Sequence, residues 1–170
     1  MHLKFQQIEI EGFRSIVDPQ VFNLDRPGLN MIKGTNGAGK TTLFEALVWV
    51  LYGANLKDTV SAKVQSWKEV QGKDFNGTHV AVYFTVDGVQ YEIVRTIKYG
   101  SWGDVLKVIS SPSFINPLDK KDTQAYIDAL LTMDFNTFMN SFMFGQRMTR
   151  LVEAKSTEKR KLFEELFDMD

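Results

Sequence analysis

Leu3, Phe5, Ile8 and Ile10 open the chain on a partly alternating apolar pattern. It predicts a strand with one register irregularity, closed by a turn or bulge at Glu11-Gly12. A second extended piece is expected over Gln20 to Leu24. Pro27-Gly28 ends that connection, and Leu29, Met31 and Ile32 form a short apolar run, a buried-strand candidate that leads directly into a glycine-rich segment. From Lys40 the period becomes helical: Leu43, Ala46, Leu47, Val50 and Leu51 recur at spacings of three and four until Gly53 supplies a C-terminal stop.

Ala54 to Gly77 is polar and mixed, and reads as loop with a short strand or helix. Val80, Val82, Phe84 and Val86 then alternate up to Asp87-Gly88, and Val89, Tyr91, Ile93, Arg95 and Ile97 alternate after it, which signals a hairpin. Val105 to Ile109 adds a third strand and completes an antiparallel meander. Beyond Pro112 and Pro117, Asp119 or Asp122 caps a helix carrying Ala125, Ile127, Leu130 and Leu131, and a second helix starts near Asn136. Gly145-Gln146-Arg147 interrupts the apolar series of Phe138, Met139, Phe142 and Met143, and a last helix is expected after Ser156. The chain stops at Asp170 without a capping glycine or a polar tail, as if cut inside or just after an element.

The 170 residues, 44% hydrophobic and 24% charged, suit one globular domain of ordinary size. Cysteine is absent, which excludes a disulfide framework, a thiolate zinc site and a cysteine nucleophile; two histidines, His2 and His79, poorly supply a histidine metal site. A net charge of −1 carries no global signature of nucleic acid or membrane binding. No apolar run approaches the roughly 18 residues of a membrane span, and the N-terminus lacks the apolar block of a signal peptide, so the chain reads as soluble and intracellular.

Chemistry concentrates in Gly34-Thr35-Asn36-Gly37-Ala38-Gly39-Lys40-Thr41, which satisfies the phosphate-loop pattern Gly-x-x-x-x-Gly-Lys-Ser/Thr after a strand candidate and before a helix. The glycines admit backbone conformations closed to other residues and bring N–H groups towards phosphate oxygens at a helix N-terminus. Lys40 is placed to reach the β- and γ-phosphates of ATP, the Thr41 hydroxyl to ligate Mg²⁺, and Thr42 to contact the α-phosphate. An acidic partner of the kind that ends a buried parallel strand is missing. Lysines 57, 63, 68 and 73 outnumber Asp58 and Glu69 around Trp67, a segment that reads as solvated loop, with contact to DNA phosphates as the alternative. Trp49 is expected in the core.

Gly12-Phe13-Arg14-Ser15-Ile16, the Thr-Asn phosphate loop, Leu43-Phe44-Glu45-Ala46-Leu47, Leu51-Tyr52-Gly53, Phe142-Met143-Phe144-Gly145-Gln146 and the run from Ser156 to Leu166 follow one another in an order that resembles the SbcC-type DNA double-strand-break repair ATPases, the Rad-fifty group, and their phage recombination counterparts. Arg147 stands where many members have glycine. The resemblance implies an α/β P-loop NTPase fold: the N-terminal lobe of an ABC-type ATPase head, with a mixed sheet and an antiparallel β-meander. Residues 1–170 would form a single lobe holding the Walker A and Q-loop segments, with the coiled coil and the C-terminal lobe outside it.

For the site, the resemblance implies ATP and Mg²⁺ as cofactors. Arg14, Ser15, Asn36, Gly37, Ala38, Gly39, Lys40, Thr41 and Thr42 would bind nucleotide, Thr41 and Gln146 would lie at the metal, and Lys40 and Gln146 would be catalytic. The implied partners are the C-terminal lobe, a second head as homodimer, an SbcD-type (Mre-eleven-like) nuclease and double-stranded DNA, with no membrane and a nucleoid-associated location, or the host cytoplasm for a phage protein. Two other readings stand beside it: a self-contained small P-loop NTPase or kinase, which would need a second acidic metal site and an acceptor pocket, and a nucleotide-bound structural module without turnover.

Overall fold

The alternating N-terminal run folds as β1 (Leu3–Glu11), and the irregularity expected within it is a register shift between Phe5 and Gln7 where β1 meets its neighbour. In the computed structural model, residues 2–28, 31–35, 39–54, 64–66, 75–110, 114–115, 119–142 and 156 are described. They divide into two compact units, Met1–Ile127 and Asp128–Asp170.

The first unit is built on a six-stranded sheet in the order β2-β1-β3-β4-β5-β6, with β2 (Gln20–Asn23), β3 (Thr78–Val86), β4 (Val89–Ile97), β5 (Leu106–Ser110) and β6 (Phe114–Ile115). Asp87-Gly88 closes the β3–β4 hairpin as its sequence requires; Asp87 and Gly88 both take positive φ. Every pairing is antiparallel. The strand expected around Leu29 to Ile32, which would have made the sheet mixed, is not among these strands: Met31 and Ile32 have no strand partner among the described residues and are 73% and 46% exposed, while Leu29 lies outside the described residues.

Ile8, Val82, Ile93 and Val108 stand opposite one another across four strands, all fully buried, and form a row of the core face. Over this sheet lies α1 (Lys40–Tyr52), whose Leu43, Ala46, Val50 and Leu51 are buried as the helical spacing predicts. Trp49 is in the core, 3% exposed, with its ring centroid 5.4 Å from that of Phe13.

Arg95 sits in the same alternating series as Ile93, on a face otherwise apolar, because α1 ends against it. Gly53 closes the helix in the left-handed conformation, its N–H bonded to the Trp49 carbonyl at 2.8 Å, but the last turn has no basic residue of its own. Arg95 supplies that charge from the sheet: its Nε donates to the Val50 carbonyl at 3.2 Å, and its guanidinium lies 5.8 Å from the Trp49 ring centroid. Gln124 of α2 (Lys120–Leu131) accepts from Arg95 Nη2 and donates from Nε2 to the Leu51 carbonyl at 2.9 Å.

Helix starts follow their caps. The Asp119 carboxylate accepts from the Asp122 N–H at 2.8 Å at the head of α2, and in the second unit Asp134 accepts from the Thr137 N–H at 2.8 Å at the head of α3 (Phe135–Phe142). The last helix is represented by Ser156 alone; its remainder, the lysine-bearing stretch at 57, 63, 68 and 73 with Trp67, and Gly145-Gln146-Arg147 lie outside the described residues.

The other sheet face is mixed, with Ala81 and Val94 buried among polar positions. Tyr83 and Glu92 face each other across β3 and β4, and burial, with the Glu92 and Glu9 carboxylates beside it, pushes the Tyr83 phenol upward. Burial also raises Glu92, helped by the charge of Glu9 and opposed by the hydrogen bond with Tyr83. A carboxyl raised in the folded chain keeps its proton after the unfolded chain has lost it. Its contribution to stability therefore falls as pH climbs from about 4.5 through the higher folded value. Glu92→Gln is expected to flatten the decline of stability over that interval, measured by urea unfolding from pH 4 to 8; parallel curves for the two proteins would contradict it.

Candidate phosphate-binding site

The site grows from three pieces of the first unit: the turn after β1, the segment before α1, and the first turn of α1. Phe13 and Ile16 exchange backbone hydrogen bonds at 2.8 and 2.9 Å and leave Arg14-Ser15 as a two-residue loop. Gly12 anchors its base, donating to the Val17 carbonyl at 3.0 Å and accepting at its own carbonyl from the Ser66 N–H at 3.0 Å and the Thr78 hydroxyl at 2.7 Å. Arg14 takes φ 49, and its N–H donates to the Val64 carbonyl at 2.7 Å.

Gly39 precedes the helix at φ 85, a conformation glycine adopts without penalty. A side chain there would meet Ser15 Oγ at 3.3 Å, so the turn and the helix start are in close approach. Ser15 Oγ and Thr42 Oγ1 are 3.0 Å apart and share a hydrogen bond. One turn further, Arg14 Nε lies 2.7 Å from Glu45 Oε2, an ion pair whose N–H does not lie along a hydrogen-bond line.

Lys40 Nζ donates to the carbonyls of Gly34 and Thr35, each at 2.7 Å, so the lysine crosses the mouth of its own loop. Thr41 is exposed beside it, and Thr42 is 7% exposed. The N-terminus of α1 has no side-chain cap and no acid in its first turn. Among the described residues, its first-turn N–H groups and partial positive charge are therefore left to an anion. A cleft of about 370 Å³ adjoins them, with Ser15, Asp18, Phe22, Ile32, Lys33 and Lys40 in its walls, a size suited to a small ligand.

Of the residues expected at the site, Arg14, Ser15, Gly39, Lys40, Thr41 and Thr42 are brought together, whereas Asn36, Gly37, Ala38 and Gln146 lie outside the described residues. Thr42, expected at an α-phosphate, has its hydroxyl engaged with Ser15. Glu45 is the residue that sequence reasoning did not assign: its pairing with Arg14 joins positions 31 apart, and no local pattern signals it. A nucleoside triphosphate with Mg²⁺ fits this donor set, because cation, uncapped amides and an exposed hydroxyl converge without an opposing carboxylate in the first turn. Among the described residues no group of three or more histidine and acidic side chains is placed to hold a metal by itself, and no helix is long and apolar enough to cross a membrane.

Residues 7–170 match a protein family described as AAA domain. The chain is 27% identical over 176 residues to a DNA double-strand break repair Rad50 ATPase of Methanocaldococcus jannaschii, covering 100% of this chain and 16% of that protein. It is 23% identical over 171 residues to Exonuclease subunit 2 of Enterobacteria phage T4, covering 99% of this chain and 29% of that protein. The chain thus spans less than a third of either relative. A solved chain from work on ATP-driven dimerization and DNA-stimulated activation of SMC ATPases shares the fold with a TM-score of 0.59 at 16% identity, covering 96% of this chain and 99% of that one. The Smc head of Pyrococcus furiosus, solved with an extended coiled coil and the C-terminal domain of ScpA, gives a TM-score of 0.55 at 18% identity over 79% of this chain and 35% of that one.

Proposed function

The chain belongs to the AAA domain family, and on that premise we propose that it is the N-terminal ATP-binding lobe of a DNA repair or recombination ATPase, one that governs a partner nuclease at DNA ends through ATP-driven dimerisation of two heads. The observation that carries this reading is the uncapped start of α1, with left-handed Gly39 before it and Lys40 held across the loop carbonyls. The relatives named above, a double-strand-break repair ATPase and a phage exonuclease subunit, support the wider role.

In this reading Gly37, Ala38 and Gly39 offer backbone N–H groups to the phosphates, with Asn36, Thr42, Arg14 and Ser15 closing around them. Lys40 leaves the Gly34 and Thr35 carbonyls to meet the β- and γ-phosphates. Thr41, with Gln146, would hold Mg²⁺, which neutralises phosphate charge and polarises the γ-phosphoryl group when bound. Gln146 would orient the attacking water. The exposed Met31, Ile32 and Phe44 flank the loop and provide apolar surface for the C-terminal lobe of the same protein. Double-stranded DNA, an SbcD-type nuclease and a nucleoid-associated location in the cytoplasm complete the proposal.

Single-turnover hydrolysis of ATP by this chain with Mg²⁺, run beside nucleotide binding, tests it. Binding without appreciable turnover is the expected result, since in this reading the acid that completes the metal site belongs to the C-terminal lobe. Turnover that disappears in Lys40→Met would instead establish a self-contained small NTPase.

A further inference from the structure

Arg14 occupies a position that favours glycine. It is the first of the two residues in the tight loop between Phe13 and Ile16, at φ 49, where a side chain carries a conformational penalty. Non-glycine residues held in this region gather at functional sites, where the surrounding structure over-determines them. Here that support is visible: the Arg14 N–H is bonded to Val64, and the loop is pinned through Gly12 to Val17, Ser66 and Thr78.

The direction in which the loop delivers Arg14 is equally defined. Ser15 meets Thr42, and Arg14 meets Glu45, so two successive loop residues contact α1 at positions three apart, on one face of its first two turns. Glu45 is drawn in, its side chain 15% exposed, while that of Arg14 is 32% exposed. A half-buried carboxylate this near a cationic helix start opposes anion binding unless it serves another purpose. Among the described residues, pairing at Nε leaves the two terminal nitrogens of the guanidinium, the pair suited to a second oxyanion.

We propose that Glu45 is a positioning residue for nucleotide binding: it holds Arg14 by Nε against the first turns of α1 so that the terminal guanidinium nitrogens are presented to the phosphates of ATP. The inference rests on the phosphate-loop reading above and assigns a role to a side chain that touches no nucleotide itself.

The simple effect of charge and the positioning effect have opposite signs, which makes the test decisive. Removing a carboxylate near an anion site strengthens anion binding by Coulomb's law alone; releasing Arg14 weakens it. ATP affinity of this chain would be measured by titration calorimetry for Glu45→Gln, Arg14→Gln, the double variant and Lys40→Met, with thermal melting of each. The expected results are roughly tenfold weaker binding for each of the first two and no further loss in the double variant. Binding by Glu45→Gln as tight as or tighter than that of the unaltered chain, or losses that multiply in the double variant, would overturn the proposal.

Lys40→Met separates this failure from that of its premise. Unchanged affinity in that variant removes the phosphate-loop reading and this proposal with it, whereas lost affinity there with intact affinity in Glu45→Gln overturns the proposal alone. Should Glu45→Gln melt early, Glu45→Asp keeps the charge but shortens its reach: several-fold weaker ATP binding at an unaltered melting midpoint supports positioning, and unaltered affinity contradicts it.

Discussion

Lys40→Met is expected to weaken ATP binding by at least roughly a hundredfold while leaving the thermal midpoint within a few degrees of its original value. The ammonium has its described contacts with the Gly34 and Thr35 carbonyls, both within a few residues of it, so its loss breaks no link between distant parts of the chain. Methionine is about as good a helix former as lysine and spans a similar length, so α1 keeps its first turn. What disappears is the positive charge at the mouth of an uncapped helix, and with it the strongest attraction for a triphosphate. Calorimetric titration with ATP beside a melting curve reads both quantities. Unaltered affinity would remove the phosphate-binding assignment.

The second large effect is structural. Gly12→Ala is expected to destabilise the fold by about 3 kcal/mol or more, because two penalties coincide at one atom. Gly12 has φ +61, and a Cβ built there would collide with the backbone carbonyl of Gly77 and come within 2.9 Å of Phe75 Cε2. Backbone yields less readily than the end of a side chain, and the Gly12 carbonyl is already committed to Ser66 and Thr78. The loop that carries Arg14 and Ser15 is anchored here, so ATP affinity should fall together with stability. Urea unfolding gives the loss directly, and a value below about 1 kcal/mol would mean that residues 75–77 move aside.

Much of this architecture was legible because its causes are local. Asp87-Gly88 between two alternating runs fixes the β3–β4 hairpin, and the spacing of Leu43, Ala46, Val50 and Leu51 before Gly53 fixes α1 and its end. The resemblance to the SbcC-type group is borne out by relatives that match the chain from end to end, and the P-loop head fold by its structural neighbours. Met31 and Ile32 show where pattern fails: an apolar run predicts burial, but burial needs a partner surface, and among the described residues none covers them. Arg95 and Glu45 illustrate the complementary limit. Each appears in sequence as one charged residue within a periodic segment, and each acquires its role from a contact far along the chain, Arg95 with the end of α1 and Glu45 with the turn at Arg14. Long-range pairing of this kind leaves no local trace.

The place of β1 in the sheet, between β2 and β3, separates its local pairing from its long-range one. The β3–β4 hairpin joins neighbours in sequence and can close within microseconds, and β2 follows β1 after a short connection, whereas β1 must find β3 across a long intervening chain, with Glu11 meeting His79. The turn that holds Arg14 and Ser15 extends directly from the end of β1. During synthesis the first strand made can pair with β3 only once the chain has extended through Val86. Seating of the Arg14-Ser15 turn against the sheet therefore depends on a long-range pairing that no local segment can make alone.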